Sequence, residues 1–271
     1  APAALRAQLA ARGYREAICM SFVARDLLER WSLSDGAVAL ANPLSADLAV
    51  MRTSLLPGLV EALKHNRNRQ QDRVRLFETG LVFSDAGGSL RQVQRLAAVA
   101  CGRAAPESWA TDKRDVDFFD LKADLETLVA LAGSGRKLAF ESPSEPWLHP
   151  GRSASVLIDG KPSGVIGALH PRMGKALDLD GDVYVFEADM SVLAAGTVPR
   201  AQPISAFPML RRDIAVVVPE AVSYATIESC VREAVGQYLT EVIVFDRYSG
   251  QNLGSGAKSL AIGLILQDDY R

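Results

Sequence analysis

The sequence predicts an α+β fold in two domains, an antiparallel sheet carrying helices. Short apolar runs of strand character, as at residues 74–83, 95–102 and 183–188, are many, and the stretches with helical spacing are scattered among them. At 271 residues and 48% hydrophobic composition, the chain is long enough to bury about two cores. Residues 194–208, AAGTVPRAQPISAFP, hold three prolines and little periodicity. They place the boundary between a domain at 1–198 and a second at 199–271.

Charge and cysteine usage narrow the function classes. Thirty basic against thirty-two acidic residues leave a net charge of -2, so no overall field draws in nucleic acid or an anionic membrane. Any nucleic-acid contact must be local. Cys19, Cys101 and Cys230 are far apart with no C-x-x-C pair, which argues against a disulfide framework and a structural zinc site. A cytoplasmic location fits that usage. No apolar run approaches the roughly 18 residues of a membrane span, and no signal-peptide pattern opens the sequence. The first residue is Ala1 and not Met, which suggests a piece of something longer.

In chain order, residues 5–12 read as a short helix stopped by Gly13, residues 14–22 as a strand, and residues 25–31 as a second short helix. The next helix should start at Ser54, whose hydroxyl can accept from a free N–H of the first turn, with Pro57 where its missing N–H costs nothing. Leu55, Leu56, Leu59, Val60 and Leu63 then form one apolar stripe, and Lys64, His65, Arg67 and Arg69 crowd the C-terminal end, where positive charge suits the helix dipole. Strands follow at 74–83 and 95–102, separated by a Gly-rich turn.

Residues 117–131 form the clearest later helix, with Leu121, Leu125, Leu128 and Val129 on one face and Gly133 as its stop. Residues 137–141 read as a strand. Residues 155–158 and 164–169 should form a hairpin with Asp159-Gly160 in its turn, and residues 183–188 another strand. Past the boundary, a strand at 213–218, a helix capped by Ser223 and stopped by Gly236, and strands at 242–248 and 259–267 give the order β-α-β-β. This is the first part of a ferredoxin-like β-α-β-β-α-β unit.

Several tempting motifs fail. GSGAKS at 254–259 lacks the glycine before Lys-Ser that a phosphate loop needs. Gly151-Arg152-Ser153-Ala154-Ser155 misses a nucleophile elbow at its last residue. His65, His149 and His170 are not spaced as metal ligands, and the last two precede prolines, as loop residues at a bend do. Asp117, Asp120 and Asp124 are better read as helix capping than as a carboxylate cluster.

Longer ordered stretches carry a resemblance. NPLSADLAVMRTSLLPGLVEAL from residue 42, LFETGLVF at 76–83, DFFDLKADLETLV at 117–129, LHPGRSA at 148–154 and GALHP at 167–171 resemble the β subunit of bacterial phenylalanyl-tRNA synthetase. So do RRDIAVVV at 211–218 and VFDRYSGQNLGSGAKSLAIGLILQD at 244–268, which resemble the start of that family's anticodon-binding domain. The resemblance implies a catalytic-like but non-catalytic domain of class II aminoacyl-tRNA synthetase fold at 1–198, then a truncated ferredoxin-like anticodon-binding domain at 199–271. It implies assembly with the catalytic α subunit in an (αβ)2 heterotetramer and work on tRNA(Phe), with ATP and magnesium used by the complete enzyme. Class II activation needs an arginine in an Arg-x-Glu context and a late glycine-rich segment ending in arginine; neither Arg-x-Glu nor G-x-G-x-G occurs here. Without such preorganised cations the charge developing on the phosphates goes unstabilised, so no cofactor, metal or adenylate chemistry is expected of this chain.

The resemblance also suggests site residues. The stripe of Leu55, Leu56, Leu59 and Leu63 is the candidate subunit interface. Arg211, Arg212, Arg247, Tyr248 and Lys258 are candidates for tRNA contact, as cations for phosphate and an aromatic face for an unstacked base. Residues 200–271 carry seven Lys and Arg against eight Asp and Glu, so solvation or pairing within the domain competes with that role for each cation. Lacking the last helix and strand of the ferredoxin-like unit, the segment 213–218 is expected to be an unprotected edge, with poor order or a compensating contact across 204–271. Two other functions compete: a scaffold of synthetase-like fold without RNA binding, and a stand-alone small-molecule enzyme, for which no convergent catalytic set is visible.

Overall fold

The computed structural model describes residues 2–133, 135–143, 145–196, 204–254 and 256–268. The chain divides into two compact units, Ala1–Pro199 and Arg200–Arg271. The boundary expected between residues 198 and 199 lies outside the described residues.

In the first unit the elements are α1 (Pro2–Ala11), β1 (Arg15–Glu16), β2 (Phe22–Val23), α2 (Arg25–Arg30), β3 (Val50–Met51), α3 (Leu56–Arg67), β4 (Val74–Asp85) and β5 (Leu90–Cys101). They continue with α4 (Phe118–Leu131), β6 (Leu138–Glu141), β7 (Leu148–Ile158), β8 (Lys161–Leu169), α5 (Pro171–Ala176), β9 (Val183–Asp189) and α6 (Met190–Ala194). Seven strands make one sheet in the order β1-β4-β5-β9-β8-β7-β6. Every pairing in it is antiparallel except β1 beside β4.

Helices lie over both faces of this sheet, which is why its central strands read as continuous apolar runs and not as alternating ones. Along β5, Leu96, Ala98 and Ala100 enter one core with Leu121, Leu125 and Leu128 of α4, while Ala97, Val99 and Cys101 enter another with α3. The side-chain period of two thus sorts one strand between two cores. Where the sequence suggests one strand over 14–22, Arg15 and Glu16 join the large sheet against Leu76 and Phe77, and Phe22 pairs with Met51 in a separate two-stranded sheet. Beyond Glu16 the chain leaves the edge of the large sheet, and Ile18 is 94% exposed.

Local signals act as expected at several ends. Asp117 accepts from the N–H groups of Phe119 and Asp120, and Asp120 accepts from the N–H of Asp117, a reciprocal cap that opens α4. Asp159 and Gly160 both have positive φ, 53° and 75°, as a two-residue hairpin turn between β7 and β8 requires. His170 caps α5, its Nδ1 accepting from the Arg172 N–H, whereas His149 lies within β7 and accepts from the Gly151 N–H.

One expectation is corrected. Leu55, Leu56, Leu59 and Leu63 are each 0% exposed, sharing a core with Trp31, Trp147, Val99 and Val185. They cover the chain's own sheet and offer no side chain to another subunit. An amphipathic stripe shows that a helix has a buried side, but not which molecule buries it.

The second unit contains β10 (Leu210–Pro219), α7 (Tyr224–Val235), β11 (Leu239–Tyr248) and β12 (Ala257–Leu266). Its strands are antiparallel in the order β10-β12-β11, so β10 pairs with β12 alone among the described residues. Ile227, Val231 and Val235 of α7 pack on Leu260, Ile262 and Leu264 of the central strand. Ser223 Oγ accepts from the Thr226 N–H at 3.2 Å to cap α7, and Gly236 ends it at φ 64°.

Candidate nucleic-acid interface

Alternation divides the polar candidates of the second unit between two sheet faces. Arg212 lies opposite Leu264, Arg247 opposite Leu260 and Lys258 opposite Val218, so all three project from the side that α7 covers. There Arg247 pairs with Glu220 at 2.6 Å, and Lys258 Nζ donates to the Glu220 carbonyl at 2.8 Å. Arg211 lies opposite Ile265, and Tyr248 opposite Ser259, on the other side.

That second face carries no helix among the described residues. On it the Arg211 guanidinium sits 5.2 Å from the ring centroid of Phe245 and is held at 2.7 Å by Asp213. Phe245 and Tyr248 are about half exposed. A Cβ at Gly250 would fall 2.2 Å from the Tyr248 hydroxyl oxygen, so the absence of a side chain at Gly250 gives the phenol its position. An exposed cation stacked on one ring beside a second ring can hold a phosphate and stack an unpaired base.

A register shift between Val244 and Asp246 decides this grouping. The extra residue reverses the alternation along β11, placing Arg247 on the α7 side and Tyr248 on the open side. Phe245 was not legible as a site residue, because from sequence it is one more apolar residue of a strand.

The family model described as "Phenylalanyl tRNA synthetase beta chain CLM domain" matches residues 2–190, and that described as "Ferredoxin-fold anticodon binding domain" matches residues 205–271. This chain belongs to the phenylalanyl-tRNA synthetase β chain family. Among curated relatives, the phenylalanine–tRNA ligase beta subunit of Xanthomonas campestris pv. campestris is 52% identical over 269 residues, covering 98% of this chain and 34% of the relative. Those of Xanthomonas oryzae pv. oryzae and Xylella fastidiosa are 50% and 49% identical over 270 residues, with the same coverage. The chain spans about a third of the length of the curated relatives it matches.

In this phenylalanyl-tRNA synthetase β family chain, the large sheet holds ionisable groups of its own beneath α3. Arg52 and Glu78, 5% and 3% exposed, pair at 2.7 Å. Glu187 of β9 accepts from the Leu55 N–H at 2.7 Å and from Ser54 Oγ at 3.1 Å, and Ser54 Oγ in turn accepts from the Leu56 N–H. Together they cap α3 from across the sheet. Burial pushes the Glu187 carboxyl above the usual range, opposed by the Arg95 charge and the two hydrogen bonds. The sequence signal was a lone carboxylate inside the apolar run VYVFEA. Arg52 is engaged by Glu78, and leucines and tryptophans fill the surrounding face.

Proposed function

We propose that this chain is the non-catalytic portion of a phenylalanine–tRNA ligase β subunit, which assembles with the catalytic α subunit and helps position tRNA(Phe) for ATP-dependent aminoacylation. The complete enzyme is an (αβ)2 heterotetramer that uses ATP and magnesium. Within it, residues 1–198 are a class II synthetase-like domain that has given up catalysis, and residues 199–271 are the anticodon-binding domain. The buried Arg52–Glu78 pair and the packed face under α3 support the first assignment.

The observation that carries the tRNA reading is the open face of the 205–271 domain, where Arg211 lies on Phe245 beside Tyr248. Arg211 and Tyr248 are its primary contacts, whereas Arg212, Arg247 and Lys258 project from the side that α7 covers and lie outside this contact. The test uses the full assembly with tRNA(Phe) over a range of salt concentrations. Tyr248→Ala should weaken binding by about 1–3 kcal/mol through lost stacking. Arg211→Ala should lower the salt slope by about 1, the signature of one lost phosphate contact. Unchanged affinity and slope in both variants would remove this face from the interface. Mixing the chain with an α subunit and determining the mass of the product tests the assembly.

A further inference from the structure

A cluster of arginines lies where the end of α1, the start of β4 and the first turns of α4 meet. Arg12, Arg73, Arg75 and Arg114 line a pocket of about 400 Å³ there, with Asp120 and Asp124. The Asp124 side chain is 4% exposed and carries three donors: the Tyr14 hydroxyl at 2.7 Å, Arg75 at 3.2 Å and Arg12. Arg75, 7% exposed at its side chain, also donates to the Ala104 carbonyl at 3.1 Å and lies 5.3 Å from the Tyr14 ring centroid. Arg114 is held by both oxygens of Asp120 at 2.7 Å each.

Arg73 has no such partner. Among the described residues it makes no hydrogen bond or ion pair, and its Nε is shut off from water with nothing to donate to. Burial and the neighbouring Arg75 both press its pKa downward, the response of a cation placed beside another cation. Four guanidiniums, those of Arg12, Arg73, Arg75 and Arg114, face three carboxylates, Asp117, Asp120 and Asp124, so the lining carries a net charge of +1, and Arg73 is the guanidinium left without a partner. Uncompensated charge away from bulk water is costly, and an anion seated there would relieve it. Planar guanidinium forks match phosphate oxygens, and a phosphate group offers acceptors to the unused donors of Arg73. Asp117 and Asp120 also line the pocket, and their charge opposes an extended polyanion more than a single phosphate group, which favours a small ligand over an RNA backbone.

We propose that this pocket binds the phosphate group of a small ligand, with Arg73 and Arg12 as donors and Arg75 held in place by Asp124. The site is independent of the tRNA-binding face. The probe is radiolabelled inorganic phosphate, measured by equilibrium dialysis on the full β chain in its native assembly. The parent should show one phosphate site per β chain that Arg73→Gln weakens by about 10-fold or more, as loss of a charge-assisted donor predicts. Arg73→Lys, which keeps the charge and loses the fork, should fall between. Because Arg73 pairs with nothing in the unliganded chain, Arg73→Gln should fold with a thermal midpoint equal to or above the parent's in phosphate-free buffer. Competition by a nucleoside monophosphate would support the site and assign it to a nucleotide; its absence, with phosphate still bound, would support it as a site for the free ion. Equal phosphate binding by parent and Arg73→Gln, no binding by the parent, or an effect of Arg73→Gln on tRNA affinity alone would overturn the proposal.

Discussion

Two buried carboxylates, Asp124 and Glu187, do opposite things to the first unit. Asp124 is surrounded by cations and a phenol, so its charge is the element that holds Arg12 and Arg75 in place. Asp124→Ala leaves the buried Arg75 without its carboxylate and should cost about 3–5 kcal/mol in chemical denaturation. Glu187 is dominated by burial, and its carboxyl titrates above its ordinary value of 4.5. A raised carboxylate pKa means the folded state holds the proton more tightly than the unfolded chain. Stability should therefore fall as pH rises from the ordinary value through the raised one. Glu187→Gln keeps a side-chain oxygen for the Leu55 N–H and should remove that slope from denaturation midpoints measured across the window. From sequence the aspartate was legible only as a capping residue of α4, because Arg12 lies 112 positions away from it.

At the scale of elements, the caps and turns were legible and the partners of the faces were not. Asp117 with Asp120, Ser223 with Thr226, and the Asp159-Gly160 turn follow from residues within four positions of one another. The α3 stripe was equally visible, yet its occupant was the chain's own sheet. Leu59→Ala should consequently destabilise the first unit by about 2–5 kcal/mol, read by urea denaturation, as a fully buried leucine does. Any loss of subunit assembly in that variant should track its loss of folded protein. In the second unit, the bulge in β11 put Tyr248 in place of Arg247 on the face that carries Phe245 and Arg211.

At the scale of the whole molecule, two compact units carry separate cores and separate candidate roles. A version of the chain ending at residue 196 should retain association with the α subunit and lose the salt-dependent part of tRNA affinity supplied by residues 205–271. Analytical ultracentrifugation and filter binding would read the two outcomes independently. Loss of assembly in this version, with the first unit still folded, would move the α contact into the second unit.

By itself the sequence determined the α+β class, most strand and helix positions, the caps and the hairpin turn, since each depends on neighbours a few residues apart. Its longer ordered motifs also identified the family. The tertiary structure alone decided that the leucines of α3 face inward, that a bulge turns Arg247 to the side that α7 covers, and that Arg12 and Arg75 converge on Asp124. Each of those facts depends on pairing register or on contacts between residues far apart in the chain, and no local pattern of side chains encodes either.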